Sequence, residues 1–208
     1  MGVGMAEQEQ EQGRVLTRTE VEAGLRDILM DSLGVTEAEV TPAASLVRDL
    51  GAESIDFLDM GFKIQQAFGV NLQAAEIRDK ILAWGTLILP ALAEVLTARM
   101  GHPVTVEQLK GREGGGIDGL LAYLQTSLGV APIDGAADTV GEELLRRLVK
   151  EFQALGFVVS ETDRRNLLAT MRSDLTARRL TERTLDLLTV ENMVNYICGK
   201  LGPRLAAG

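Results

Sequence analysis

The chain contains 208 residues, of which 46% are hydrophobic and 25% charged, and its formal net charge is −9 at pH 7. This composition is typical of a folded protein with one medium domain or two small ones, and it excludes disorder over the whole length. The single cysteine excludes a disulfide framework and a multi-cysteine zinc site within the chain, and the single histidine leaves little for metal binding or acid–base catalysis. We therefore expect no metal site and no catalytic residues.

The acidic residues are concentrated in the first half of the chain. Residues 1–100 hold 16 acidic and 8 basic residues, whereas residues 101–208 hold 14 and 13. Contacts to phosphate groups need clustered Lys and Arg, so an acidic half disfavours nucleic acid and anionic membranes as partners. It favours a protein partner with a basic surface.

Two segments bear on location. Residues 1–16 are rich in Glu and Gln and lack the basic start and apolar core of a signal peptide, which predicts a disordered acidic tail on a cytoplasmic protein. The uncharged stretch 81–93 contains Pro90 and is shorter than the roughly 20 residues that a spanning helix needs. We expect no membrane span.

Apolar residues recur with helical spacing nearly throughout, and the alternating runs typical of strands are scarce, which predicts an all-α fold. The first helix is expected to begin at Thr19, where the residue three positions on is Glu, and to end at Gly34. The second is expected to begin near Ser54 and to end at Gly69, and further helices are predicted at 74–84, 86–99 and 105–110.

A glycine cluster at 111–116 predicts a Gly-rich linker between two domains. The second half reads as a degenerate copy of the first, since Ser32-Leu33-Gly34-Val35 recurs as Ser127-Leu128-Gly129-Val130 and Thr105-Val106-Glu107 recurs as Thr189-Val190-Glu191. This pattern predicts a first domain at 17–110, a smaller helical domain at 117–203 and a tail at 204–208.

The segment Asp49-Leu50-Gly51-Ala52-Glu53-Ser54-Ile55-Asp56 is the most informative one in the chain. A serine at the start of an amphipathic helix lies among unpaired backbone N–H groups at the positive end of the helix dipole, where a phosphate ester is stabilised. The alternative is that Ser54 only caps the helix, as serines at such positions commonly do. The segment by itself does not decide between the two.

The wider pattern resembles the acyl carrier protein family, whose attachment site reads Gly-Ala-Asp-Ser-Leu-Asp. The resemblance covers residues 19–110, with Leu50 to Asp56 as its densest part, then Phe68-Gly69-Val70, and more distantly Thr105 to Leu109 as the start of the last helix. It implies a four-helix bundle, here with an additional apolar helix and followed by the degenerate carrier-like domain. It also implies that Ser54 carries 4′-phosphopantetheine, transferred from coenzyme A by a phosphopantetheinyl transferase, and that the arm holds acyl groups as thioesters for acyl synthases and acyltransferases.

Other site residues follow from the same resemblance. Glu53, Asp56 and Asp59 are expected to form an acidic face for partner recognition, although acids near a helix start also simply favour the helix. The candidates for an acyl cavity are Leu50, Leu58, Phe62 and Phe68.

Three departures from the family pattern set this chain apart. Glu53 replaces the usual Asp with a longer side chain, which would alter the geometry presented to a partner. Gln65 and Gln66 stand where acids are frequent, with Lys63 nearby, so the acidic face is short, which favours a partner from a dedicated pathway over the general fatty-acid machinery. The chain between Gly69 and Thr105 is longer than usual and includes the apolar stretch 81–93, which would either enlarge or cover an acyl cavity or simply pack in the core.

Residues 145–185 contain nine basic and five acidic residues, and they predict a solvated helical face, intramolecular docking on the acidic carrier segment or binding of a different partner. A different class of function also remains open. Both halves could use the carrier fold only for protein docking, with no modification of Ser54.

Overall fold

The computed structural model describes residues 15–72, 74–129 and 135–206, with the side chains of residues 74–86 and 128 left outside that description. Within these ranges the regular structure is helical, and the all-α prediction is confirmed. The α-helices in chain order are α1 Arg18–Leu33, α2 Ser54–Phe68, α3 Ala74–Met100, α4 Val106–Leu109, α5 Gly116–Leu128, α6 Ala136–Ala154, α7 Glu161–Ser173, α8 Ala177–Leu185 and α9 Val190–Leu201.

The chain divides into two compact units whose boundaries differ from the sequence prediction. The serine unit comprises the described residues up to Ile77, the short segment Leu155–Phe157 and the described residues from Asp186 onward. The inserted unit comprises Arg78–Ala154 and Val158–Leu185. The unit that contains Ser54 is therefore discontinuous in sequence.

The glycine cluster at 111–116 lies inside the inserted unit instead of between two domains. Glu113–Gly115 form a 3₁₀ turn, and Gly116 begins α5 with a φ of +59°. A Cβ atom on Gly116 would overlap the backbone carbonyl of Arg172, so this glycine permits a close backbone contact. Glycines of this kind serve packing, which composition alone does not distinguish from a linker.

Helix α9 belongs to the serine unit, not to a second domain at 117–203. It packs against α1, and Arg18 of α1 forms an ion pair with Glu191 of α9 at 2.5 Å. The side chain of Thr189 caps the helix by accepting a hydrogen bond from the Asn192 N–H. The motif at 189–191, which the repeat analysis matched to 105–107, thus begins the last helix of the unit that holds Ser54.

Helix α1 begins two residues earlier than its sequence pattern suggested. The Glu20 N–H donates to the Thr17 hydroxyl, and the Glu20 carboxylate accepts from the Thr17 N–H at 2.8 Å. The same Thr-x-x-Glu spacing occurs at Thr19, and the structure uses the first of the two. The helix then buries Val21, Leu25, Ile28 and Leu29 against the core.

The two ends of the serine unit meet. The Leu16 N–H donates to the Arg204 carbonyl and the Ala206 N–H donates to the Leu16 carbonyl, each at 2.8 Å. Leu16 is also buried. Residue 16 and residues 204–206 therefore belong to the fold and not to the predicted tails, while the tail predicted for residues 1–14 lies outside the described residues.

The inserted unit is a helical assembly in which Arg172 joins three elements. Its guanidinium pairs with Asp118 near the start of α5 and with Asp138 near the start of α6, while Arg172 itself lies at the end of α7.

The predicted helices at 74–84 and 86–99 form one helix, α3, which contains Pro90. None of the helices in the described part of the chain is long and apolar enough to cross a membrane.

Candidate functional site

Ser54 is the first residue of α2, and its side chain is exposed. The preceding turn needs Gly51, whose φ is +72°, and the Ala52 N–H then donates to the Leu46 carbonyl at 2.8 Å. Within the part of the chain that the structure describes, the Ser54 hydroxyl has no hydrogen-bond partner. Its oxygen is thus accessible for bond formation, at a helix end that favours an attached anion.

The residues around Ser54 fix where the helix starts. Glu53 is the extended N-cap residue, and its N–H donates to a carboxylate oxygen of Asp56 at 2.7 Å. Asp56 therefore holds the first turn of α2, and its side chain is half-buried, whereas Glu53 is exposed. Of these two predicted recognition residues, Glu53 is the more exposed to a partner.

Asp59, the third predicted recognition residue, is engaged inside the unit. Its carboxylate accepts from the Ser32 hydroxyl at 2.6 Å and pairs with the Lys63 ammonium at 2.7 Å. The hydrogen bond from Lys63, and then that from Ser32, lowers the pKa of Asp59. Asp31 and then Asp59 raise the pKa of Lys63, whose ammonium lies 2.5 Å from Asp31.

This cluster of Asp31, Ser32, Asp59 and Lys63 ties α1 to α2. Sequence reasoning did not identify it, although Lys63 lies four residues after Asp59, the spacing of a helical ion pair. The Lys63 ammonium pairs with both Asp31 and Asp59, which agrees with the short acidic face predicted for α2 and offsets part of its negative charge.

The predicted cavity residues separate into two groups. Leu50 and Phe68 are buried, with 6% and 5% of their surfaces exposed, while Leu58 and Phe62 are 65% and 70% exposed. Met60, Ile64 and Phe68 form the buried face of α2. Leu58 and Phe62 each lie two residues from Met60, about 200° around a helix, so they point away from that face.

Leu58 and Phe62 therefore do not line an interior cavity, which corrects the prediction. Together with Ile55, which is 66% exposed, they form an apolar stripe on the outside of α2. Their spacing of three and four residues places them on one side of the helix, beginning directly after Ser54. The sequence analysis had placed Leu58 and Phe62 in the cavity because it followed apolar character without the register of Met60.

Cys198 lies in the serine unit and is buried. Burial raises the pKa of its thiol, which keeps the thiol protonated and unsuited to act as a nucleophile.

The inserted unit contains an open groove of about 470 Å³ beside Pro90, Thr97 and Val104. Among the described residues there is no group of three or more His, Cys, Asp or Glu that could hold a metal ion.

Comparison with known proteins matches the part of the chain around Ser54. The family model for the phosphopantetheine attachment site matches residues 23–80. The acyl carrier protein of Thermotoga maritima is 35% identical over 72 residues, which cover 35% of this chain and 88% of that protein. No solved structure matches the chain.

Two more acyl carrier proteins show the same likeness. That of Nitratidesulfovibrio vulgaris is 44% identical over 52 residues, covering 25% of this chain and 68% of the relative. That of Rubrobacter xylanophilus is 38% identical over 61 residues, covering 29% of this chain and 75% of the relative. Each relative is matched over most of its own length, while the larger part of this chain lies outside the match.

Proposed function

Because this chain belongs to the acyl carrier protein family, whose cofactor is covalently attached 4′-phosphopantetheine, we propose that Ser54 is the residue that carries the arm. The observation that carries the proposal is the exposed Ser54 hydroxyl at the first residue of α2. A serine that served only as a helix cap would occupy the N-cap position, which Glu53 holds instead.

The residues present fit the attached group. The phosphodiester would lie at the N-terminus of α2, where the helix dipole contributes about 0.3–1 kcal/mol to an anion. In the transfer, the Ser54 oxygen forms a bond to phosphorus, the bond from that phosphorus to the nucleotide part of coenzyme A breaks, and the hydroxyl proton passes to a base on the transferase. The nucleotide leaves with the electrons of the broken bond.

The chain is then a carrier and not an enzyme. It would hold acyl groups of the fatty-acid or polyketide type as thioesters for acyl synthases and acyltransferases, while those partners supply the catalytic residues. The short acidic surface, with Asp59 bound to Lys63 and Gln at positions 65 and 66, supports partners from a specialised lipid or secondary-metabolite pathway. The cytoplasmic location expected from the sequence remains part of this proposal.

Partner enzymes would contact α2 through the apolar stripe of Ile55, Leu58 and Phe62, with Glu53 at its edge. These side chains are exposed on the helix that begins at Ser54, so a partner that reaches the serine passes over them. Aromatic side chains, Phe among them, are enriched at the cores of protein interfaces. We expect Phe62→Ala to raise the KM of the transferase for this chain, and Gln66→Ala, at an exposed polar position of α2, to leave it unchanged.

Docking of the basic helices on the acidic segment has weaker support. The arginines of the inserted unit pair largely with acids of that same unit: Arg146 and Arg147 with Glu143, Arg172 with Asp118 and Asp138, and Arg178 and Arg179 with Glu182. Charges that are already paired contribute little to long-range attraction.

Intact-mass measurement tests the proposal. The chain is co-expressed with a phosphopantetheinyl transferase, and we expect the increment of one phosphopantetheine on the wild type and on Ser127→Ala, an exposed helical serine elsewhere. Ser54→Ala should carry none. Absence of the increment from the wild type would support the alternative, an unmodified interaction module, and persistence of the increment in Ser54→Ala would place the arm on another residue.

A further inference from the structure

The turn before Ser54 is held by the segment with which the chain returns from the inserted unit. The Leu46 N–H donates to the Leu188 carbonyl at 2.8 Å, and the Ala52 N–H donates to the Leu46 carbonyl at 2.8 Å. Two successive hydrogen bonds therefore connect Leu188 with Ala52, two residues before Ser54. Leu46 and Leu188 are both buried, so water competes little for these bonds.

Further backbone bonds extend the same pairing. The Val190 N–H donates to the Ala44 carbonyl at 3.0 Å, and the Glu191 N–H donates to the Pro42 carbonyl at 2.9 Å. Residues 42–46 thus lie against residues 188–191 along a short antiparallel contact. The loop between α1 and α2 obtains its position from a segment more than a hundred residues away in sequence.

A charged cluster adds a side-chain link at the beginning of the returning segment. Asp49 accepts the Ser45 N–H at 2.9 Å and is held by two guanidinium nitrogens of Arg48 at 2.9 and 3.0 Å. A third nitrogen of Arg48 lies 3.3 Å from the carboxylate of Asp186. The Asp186 side chain is only 21% exposed, which favours a defined geometry for the pair.

We propose that Asp186–Glu191 is the positioning element of the serine loop and that Asp186 is a positioning residue, which acts on Ser54 through Arg48 during phosphopantetheine transfer. Asp186 orients the guanidinium, the guanidinium holds Asp49, and Asp49 fixes the turn that ends at Ala52. This inference rests on the proposed modification of Ser54. It adds that the residues after the inserted unit determine how well Ser54 is presented to the transferase.

The test uses the full chain as substrate for a phosphopantetheinyl transferase and coenzyme A, with Asp186→Asn compared to wild type. We expect kcat to fall about two- to fivefold, since ion pairs at the protein surface contribute up to about 1 kcal/mol and 1.36 kcal/mol is a tenfold rate change. KM should change little, because α2 and its exposed stripe are unaltered. Glu37→Gln is the matched control, since it removes the same charge from an exposed ion pair with Arg26 in the same unit.

Three further measurements separate positioning from a general loss of structure. The kcat ratio of wild type to Asp186→Asn should approach one at 0.5 M salt, because the Arg48 side chain is 56% exposed and salt screens the pair from that side. Asp186→Glu should recover most of the rate. Amide exchange at Ala52, measured without any cofactor, should be about two- to fivefold faster in Asp186→Asn.

Equal kcat values for Asp186→Asn and Glu37→Gln, or unchanged exchange at Ala52, would overturn the positioning role while leaving the modification of Ser54 intact. A rate loss that persists at high salt together with a lower melting temperature would show a structural role and would overturn it as well. A wild-type chain that accepts no phosphopantetheine would overturn both proposals.

Discussion

Replacing two phenylalanines of α2 by alanine should give opposite results. Phe68 is 5% exposed and Phe62 is 70% exposed, although both lie on the same helix and are separated by six residues. We expect Phe68→Ala to destabilise the serine unit strongly and Phe62→Ala to have almost no effect on its stability. The pair also tests the assignment of Phe62 to the outside of α2.

The expected magnitudes follow from burial. A buried Phe→Ala replacement costs about 3–5 kcal/mol, because it loses transfer free energy and leaves a cavity. The Phe68 ring packs directly on the backbone of α1 at Gly24. A Cβ atom added to Gly24 would lie only 2.8 Å from the Cζ atom of Phe68. Phe62 buries less than a third of its surface, and full burial of such a side chain is worth about 1.5–3 kcal/mol, so its removal should cost below about 1 kcal/mol.

Urea titration of the full chain, followed by amide exchange in peptides from α1 and α2, measures the loss in the serine unit alone. This separation is needed because two units need not unfold in one transition. A loss above about 2 kcal/mol for Phe62→Ala, or below about 1 kcal/mol for Phe68→Ala, would refute the helix register described here.

Three other predictions use the same exchange and titration measurements. Gly24→Ala should destabilise the serine unit of the wild type, since the new Cβ would meet the Phe68 ring. In the Phe68→Ala background the same substitution should stabilise the unit by up to about 1 kcal/mol. Gly199→Ala is the control: its Cβ would lie in open space, so it should stabilise the unit in both backgrounds. An equal change in stability on Gly24→Ala in the two backgrounds would contradict the contact between Gly24 and the Phe68 ring. Arg48 and then the Ser45 N–H lower the pKa of Asp49 to about 2, so its contribution to stability is complete above about pH 4 and is lost as the pH falls toward 2. The stability difference between wild type and Asp49→Asn should therefore vanish over that interval, and a constant difference would contradict this origin. Gly116→Ala should lower the free energy of amide-exchange protection in α5 by several kcal/mol, because Gly116 has a positive φ and its new Cβ would overlap the Arg172 carbonyl. Gly119→Ala, on the same helix with open space around it, should raise that protection slightly. Equal effects of the two substitutions would show that the backbone of Arg172 does not approach Gly116 closely.

Local features of the fold could be predicted from the sequence. The start of α2 at Ser54 and its end at Gly69, which adopts φ of +63°, follow from residues that lie next to each other. The start of α1 was less well defined, because Thr17 and Thr19 both precede a Glu by three residues. Only the hydrogen bonds distinguish these two starts.

The division into units could not be predicted in the same way. The motif Thr-Val-Glu occurs at 105 and at 189, and each copy begins a helix with its Thr as the N-cap. Their local sequences are therefore nearly equivalent, and which of them completes the serine unit depends on long-range packing against α1. Likewise, the exposure of Leu58 and Phe62 depends on which face of α2 the core selects, a choice that apolar character alone does not make.

The discontinuity of the serine unit also affects how the protein is made. A ribosome synthesises α2 and then more than a hundred residues before it begins α9, an interval of roughly 6–24 seconds at about 5–20 residues per second. During that interval the apolar side of α1 lacks the helix that covers part of it, and the loop before Ser54 lacks its partner at 188–191. The nascent chain therefore presents an incomplete serine unit to chaperones, and Ser54 acquires its native surroundings only after residues 188–201 have been synthesised.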